Sequence, residues 1–197
     1  ISPMPRTNRI AFIGIGNDSA DYDNSAIHAA IWDGENNTWT PSGKIILSWP
    51  DSNTQNYHVT DAADIKFTLG GQNHGDAVAV WGNKQYVYAN VWSESTGWRG
   101  SQLVADLGAN KTVRWLRLEA NPKSDDMVVA IGHQDGTGTS GILSTVPYDG
   151  TSRTWGARVQ HATDLYGDVT KNRPFDIMWD PLSSANSVML VYSLTAP

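Results

Sequence analysis

Oxygen-bearing side chains cluster near the start of the chain, where residues 17–25 read NDSADYDNS. Asp18, Asp21 and Asp23 are candidate ligands for Ca²⁺, because calcium in proteins binds about six to eight oxygen atoms. Their spacing does not match an EF-hand loop. A solvated turn between two strands is the alternative, since Asp, Asn and Ser are common turn residues. Calcium is the one cofactor that the sequence suggests.

The other motifs that carry chemistry are missing from the sequence. There is no cysteine, which excludes disulfides, thiolate metal sites and cysteine nucleophiles. The histidines lack the spacing of metal ligands, and there is no G-x-S-x-G elbow. A glycosidase needs two carboxylates about 5 to 10 Å apart, and the sequence does not pair Glu94, Glu119 or Asp176. We therefore predict that the chain is not an enzyme, with a propeller-type polysaccharide hydrolase as an alternative.

Tryptophan is abundant and recurs at a fixed place in three similar stretches. Trp39 ends AAIWDGENNTW, Trp98 ends ANVWSESTGW and Trp155 ends STVPYDGTSRTW, so the three lie about 60 residues apart. We predict that these three pack between neighbouring sheets as structural aromatics, and the alternative is a series of sugar-stacking platforms. Four further tryptophans do not recur in every unit and are candidates for stacking on a ligand, with local packing as the alternative: Trp49, Trp81, Trp115 and Trp179.

Short apolar strands surround these tryptophans in a repeating order, which we label a to d. Strands of type b begin at Arg9, Asp76, Asp126 and Ser187, and strands of type a precede the last three of them. Type c ends at each recurring tryptophan, and type d follows it. The period of roughly 50 to 60 residues is typical of propeller blades. No window shows sustained helical periodicity, so we expect almost no helix.

These strands predict one all-β domain that is a propeller-like array of four-stranded antiparallel units. The approximate units are 1–63 with strands b to d, 64–113, 114–172, and 173–197 with strands a and b only. A four-stranded sheet cannot bury both of its faces alone, so such units are stable when stacked on one another. A two-layer β-sandwich is the alternative architecture.

Two longer stretches resemble a known class of repeats. RWLRLEANPKSDDMVVAIG at 114–132, followed by STVPYDGTSRTW, resembles the Trp-rich tandem β-repeats of very large, mostly uncharacterised bacterial and archaeal surface or secreted proteins. RPFDIMWDPLSSANSVMLVYS at 173–193 resembles their partner repeat. The resemblance covers most of the chain from Asp64 onward and is weaker before it. It implies repeat architecture and an extracellular location, and it supplies no catalytic residues.

Composition agrees with a location outside the cell. Charged residues make up 17% of the chain, below the roughly 25% usual for globular proteins, and the net charge is -6. The absence of a basic cluster argues against nucleic acid as a partner, and no apolar run is long enough to span a membrane. The first residue is Ile1 rather than Met, which suggests a processed or excised piece.

The predicted function is that of a non-enzymatic extracellular module for surface display, adhesion or assembly. Its expected partners are other copies of itself or a surface protein or glycan. The unpaired half-unit favours assembly, because an open sheet edge invites pairing with another chain. A lectin-like carbohydrate binder is the alternative within this class.

Overall fold

A computed structural model describes residues 1–17, 25–40, 62–135, 141–166, 173–182 and 187–195. Every regular element in these ranges is a β-strand, and all strand pairs are antiparallel. The expectation of an all-β chain is thus confirmed for the described residues, in which we find no helix and hence none that could cross a membrane.

The first sheet contains the N-terminal strands in the order β1-β2-β3-β4. Its strands are β1 (Ser2–Pro3), β2 (Arg9–Asn17), β3 (Ser25–Asp33) and β4 (Thr38–Trp39). The sequence predicted only strands b to d in this unit. The short strand β1 nevertheless pairs with β2 on the side where strand a lies in the other sheets. Most of the predicted strand d lies outside the described residues.

The second and third sheets share one topology, in which four long strands follow one another and a short strand forms within a hairpin. The second sheet contains β5 (Ala63–Phe67), β6 (Ala77–Asn83), β7 (Tyr86–Ser93), β8 (Gly97–Trp98) and β9 (Gln102–Asp106). The third contains β10 (Lys111–Ala120), β11 (Met127–Asp135), β12 (Gly141–Asp149), β13 (Thr154–Trp155) and β14 (Val159–Leu165). In both sheets the order a-b-c-d along the chain is also the order across the sheet.

The fourth sheet has two described strands, β15 (Phe175–Trp179) and β16 (Val188–Tyr192). They correspond to the predicted strands a and b. The predicted boundary between the second and third units, after residue 113, falls inside β10, which begins at Lys111. The pairing of β10 with β11 shifts register between Val113 and Trp115, so an irregularity interrupts this strand where a boundary was expected.

The four sheets pack face to face in chain order, and three apolar clusters fill the spaces between them. The first cluster joins sheets 1 and 2 through residues such as Ile27, Ile31, Ile65 and Phe67. The second joins sheets 2 and 3. The third joins sheets 3 and 4 through residues such as Leu143, Leu165, Phe175 and Ile177.

Alternation along the b strands shows how one sheet serves two interfaces, since successive side chains point to opposite faces. In β6, Ala77, Ala79 and Trp81 pack toward sheet 1, whereas Val78 and Val80 pack toward sheet 3. We call these the leading and the trailing face of the sheet. In β11 the leading face carries Met127, Val129 and Ile131, and the trailing face carries Val128 and Ala130.

Candidate functional site

The predicted calcium ligands Asp18, Asp21 and Asp23 lie outside the described residues, as does Trp49. Within the described ranges, no group of three or more His, Asp or Glu side chains is arranged to hold a metal ion.

Trp81 and Trp115 are buried between sheets, so the structure places both in local packing and not on an open surface. Trp81 is 0% exposed on the leading face of β6, and Trp115 is 1% exposed between sheets 3 and 4. The sequence held a signal for Trp81, because it ends the nearly continuous apolar run AVAVW, and such runs are typical of strands that are covered on both faces.

Trp179 packs against the third sheet and is held there by a hydrogen bond. Its indole Nε1 donates to the carbonyl oxygen of Glu119 at 3.1 Å, and its ring joins the apolar cluster between sheets 3 and 4. The side chain remains partly exposed. Of the described candidates for ligand stacking, Trp179 is therefore the one that still reaches the surface.

The three recurring tryptophans occupy equivalent positions, each opposite an aromatic residue of strand c. Trp39 pairs with Trp32, Trp98 with Trp92, and Trp155 with Tyr148. The ring centroids of Tyr148 and Trp155 lie 4.9 Å apart at 50°, and those of Trp32 and Trp39 lie 5.3 Å apart at 52°. The hairpin that joins strands c and d thus carries an aromatic pair in every sheet where it is described.

These equivalent pairs differ in how far they are covered. Burial raises the pKa of the Tyr148 phenol to about 12, and Trp92 is buried as well. Trp39 is 54% exposed, so it does not fill the predicted packing role between sheets in this structure. The reason is that no described residue covers the leading face of sheet 1, whereas sheets 2 and 3 each have a sheet in front of them.

Both ends of the stack expose apolar side chains. On the leading face of sheet 1, Ile10 and Phe12 are 38 and 39% exposed. On the trailing face of sheet 4, Met178, Met189 and Val191 are 50 to 60% exposed. We call the first set, together with Trp39, the front face, and the second set the back face.

The exposed apolar residues of the end faces have counterparts in the inner sheets that are buried. Phe12 occupies in its b strand the place that Ala79 occupies in β6, and Val191 occupies the place of Val80. Ala79 and Val80 are both fully buried. Soluble proteins keep exposed apolar patches small, and larger ones mark interaction sites. The front and back faces are therefore the strongest candidate functional surfaces among the described residues.

One ion pair crosses the interface between sheets 1 and 2, and another crosses the interface between sheets 2 and 3 at the equivalent place in the repeat. Arg9, the first residue of β2, donates from Nη1 and Nη2 to the two carboxylate oxygens of Glu94 at 3.0 and 2.6 Å. Asp76, which immediately precedes β6, accepts from Nε and Nη2 of Arg153 at 2.9 and 2.6 Å. In both cases the start of strand b meets the c–d hairpin of the next sheet, but the signs of the charges are reversed.

The two ion pairs sit in different environments. The hydrogen bond from Arg9 lowers the pKa of the largely exposed Glu94 carboxyl. Burial raises the pKa of the Asp76 carboxyl above its ordinary value of 3.8, although the hydrogen bond from Arg153 acts in the opposite direction. The pair between sheets 2 and 3 is thus the more deeply buried of the two.

Charged side chains of the a strands link sheets 2, 3 and 4. Glu119 Oε1 lies 2.6 Å from Nη2 of Arg117 and 3.4 Å from Nζ of Lys66, and Arg117 Nε lies 3.3 Å from Oδ1 of Asp176. The carboxylates considered for glycoside hydrolysis are therefore all in ion pairs, with Glu119 and Asp176 on one guanidinium and Glu94 on Arg9.

A groove of about 810 Å³ opens beside the fourth sheet. Because that sheet has only two described strands, it leaves part of the trailing face of sheet 3 uncovered, where Pro147 and Val159 are exposed. Polar and aromatic side chains line the groove together: Asp126, Asp149, Thr154, Trp155 and Trp179.

No protein-family model matches the chain, and a search of curated proteins finds no match. The sequence contained a signal for the end faces as well. The first and last b strands, RIAFIGIG and SVMLVYSL, carry apolar side chains at both alternating positions, as the buried b strands do.

Proposed function

We propose that the chain is a non-enzymatic extracellular module for surface display, adhesion or assembly, which acts by stacking against further β-sheets through its end faces. The observation that carries the proposal is the exposure of Phe12 and Val191, whose counterparts Ala79 and Val80 are buried inside the stack. Burial of apolar area stabilises association in the same way that it stabilises the internal interfaces.

The proposed arrangement of the sheets is radial, as in a propeller. Two observations support it. The a strands β5, β10 and β15 contact one another in chain order, and they carry the ion pairs around Arg117. In a propeller the sheets are arranged around a central channel, so neighbouring blades approach each other along one strand of each sheet. An extracellular location is supported by the low charged fraction of 17%.

The proposal predicts that the chain associates through its end faces. In sedimentation velocity, the wild type should associate as its concentration rises. The double variant Phe12→Arg/Val191→Arg should remain monomeric, because a charge in an apolar interface loses its hydration. Leu182→Arg is the matched control, since Leu182 is 90% exposed and belongs to neither face. A monomeric wild type, or a double variant that associates like the wild type, would refute the proposed function.

Carbohydrate binding is a second candidate function, favoured by the groove that Trp155 and Trp179 line. Aromatic rings next to carboxylate and hydroxyl groups can stack on a sugar and bind its hydroxyl groups. A glycan array should then give a specific ligand, and Trp179→Phe should weaken its binding about tenfold. Arrays without a ligand, or binding that Trp179→Phe leaves unchanged, would exclude the groove as a lectin site.

A further inference from the structure

We infer that the partner of the end faces is a second copy of this chain, bound head to tail, with the front face of one copy against the back face of the next. The inference rests on the proposed function and names its partner. Three observations carry it. Each internal interface pairs a trailing face with a leading face, the apolar side chains of the two end faces complement each other, and the residue at the rim of the back face is uncharged.

The internal interfaces all pair a trailing face with a leading face. Val78 and Val80 of sheet 2 pack toward sheet 3, whose Met127, Val129 and Ile131 pack back toward sheet 2. Between sheets 3 and 4 the trailing face again meets a leading face, which includes Val188 and Leu190. In the part of the chain that the structure describes, no sheet covers the front face, which is a leading face, or the back face, which is a trailing face. One copy therefore presents both halves of the same kind of interface.

The side chains of the two faces complement each other. The front face offers aromatic rings, Phe12 and Trp39, and the back face offers the flexible thioethers of Met178 and Met189. Methionine adapts to irregular apolar surfaces and makes favourable sulfur–aromatic contacts. The named residues of both faces are uncharged. Asp176 lies opposite Val191 in the neighbouring strand, and its carboxylate is already paired with Arg117 and Arg173, which offsets the cost of desolvating it on association.

The residue at the rim of the back face also fits the second copy. At each of the first two interfaces the c–d hairpin of the following sheet meets the first position of strand b. Sheet 1 has an acidic hairpin with Asp33 and Glu35. The corresponding first position in sheet 4 is Ser187, an uncharged residue. Docked on Asp76 or Asp126, the same hairpin would face a carboxylate, whereas Ser187 of sheet 4 presents no like charge.

A head-to-tail contact joins two different surfaces, so it produces either a closed ring or an open filament. Two identical faces would instead meet in a symmetric dimer. This difference makes the geometry testable with variants that block one face each.

Complementation between two blocked variants tests the arrangement. Phe12→Arg removes the front face and leaves the back face, and Val191→Arg does the reverse. Each variant alone should lose self-association by about thirtyfold or more, the effect expected for a residue at the centre of an interface. An equimolar mixture should form a one-to-one dimer and nothing larger, because it contains one intact front face and one intact back face. Sedimentation velocity measures all three samples, with thermal unfolding as a check that the variants fold.

The outcomes separate this inference from the proposed function. If Phe12→Arg abolishes association while Val191→Arg leaves it intact, or the reverse, the contact is symmetric, and the head-to-tail arrangement is wrong although the proposed function stands. A mixture that stays monomeric when the wild type associates also overturns the arrangement. A wild type that is monomeric at every concentration overturns both this inference and the self-association that the proposed function predicts.

Discussion

Replacing Trp81 with alanine should lower the free energy of unfolding by about 3–5 kcal/mol, the cost usual for removing a large buried aromatic side chain. Trp81 is 0% exposed on the leading face of β6, where it joins the cluster between sheets 1 and 2. Its ring lies 6.2 Å from that of Tyr88. The indole Nε1 has no hydrogen-bond partner among the described residues, so the loss comes from packing and not from a broken hydrogen bond.

Urea denaturation measures this loss, and Trp39→Ala provides the matched control. Trp39 has the same side chain but is 54% exposed at the end of the stack, so its removal should change the unfolding free energy of the monomer by less than about 1 kcal/mol. Equal effects of the two substitutions would contradict the assignment of Trp81 to a sheet interface and of Trp39 to an open face.

Arg153→Ala should lower the free energy of unfolding by about 1–3 kcal/mol at neutral pH. Removing one partner of a fully buried ion pair costs more, but the Arg153 side chain is 25% exposed here, so water screens part of the effect. The substitution leaves the Asp76 carboxylate between sheets 2 and 3 without its cation. In contrast, Arg9→Ala should cost only about 0.2–1 kcal/mol, because the Glu94 side chain that it leaves behind is 72% exposed.

The deficit caused by Arg153→Ala should depend on pH in a defined direction. Burial already raises the pKa of Asp76 above 3.8, and loss of Arg153 should raise this pKa further. The folded state then binds the proton more tightly than the unfolded chain, so stability falls as pH rises from 3.8 to the raised pKa and is constant above it. Relative to the wild type, the variant should be least destabilised below pH 3.8 and most destabilised at neutral pH.

Unfolding free energies measured across this pH range check the prediction, with the double variant Asp76→Asn/Arg153→Ala as the control. The double variant has no carboxyl at position 76, so the added pH dependence should disappear. A deficit of Arg153→Ala that is the same at every pH would show that the loss comes from packing of the arginine stem and not from the unpaired carboxylate.

The strand pattern could be predicted from the sequence because it depends on local alternation and on turns. The b strands predicted at Arg9, Asp76, Asp126 and Ser187 each form within one residue of those positions. Strand β1 was missed, because two residues such as Ser2 and Pro3 carry no periodicity. It forms because its two residues pair with Ile10 and Ala11 of β2, and this pairing leaves no pattern in the sequence of β1 itself.

Exposure was harder to predict than strand position. Alternation tells which side chains share a face, but whether another sheet covers that face is decided by residues far away in the chain. Trp39 and Trp155 have the same local sequence pattern, but Trp39 lies on the open front of the stack, whereas Trp155 packs against the cluster between sheets 2 and 3. The pairing of Arg9 with Glu94, 85 residues later, likewise has no local signature.

The reversed charges at equivalent places have a consequence for how the chain avoids folding errors. Tandem repeats are prone to misassembly, because each module resembles its neighbours closely enough to dock in the wrong place. If sheet 3 docked on sheet 1 in place of sheet 2, its hairpin residue Arg153 would meet Arg9 instead of Asp76. The like charges penalise this mistake, so the charge at the hairpin helps to keep sheets 2 and 3 in their order.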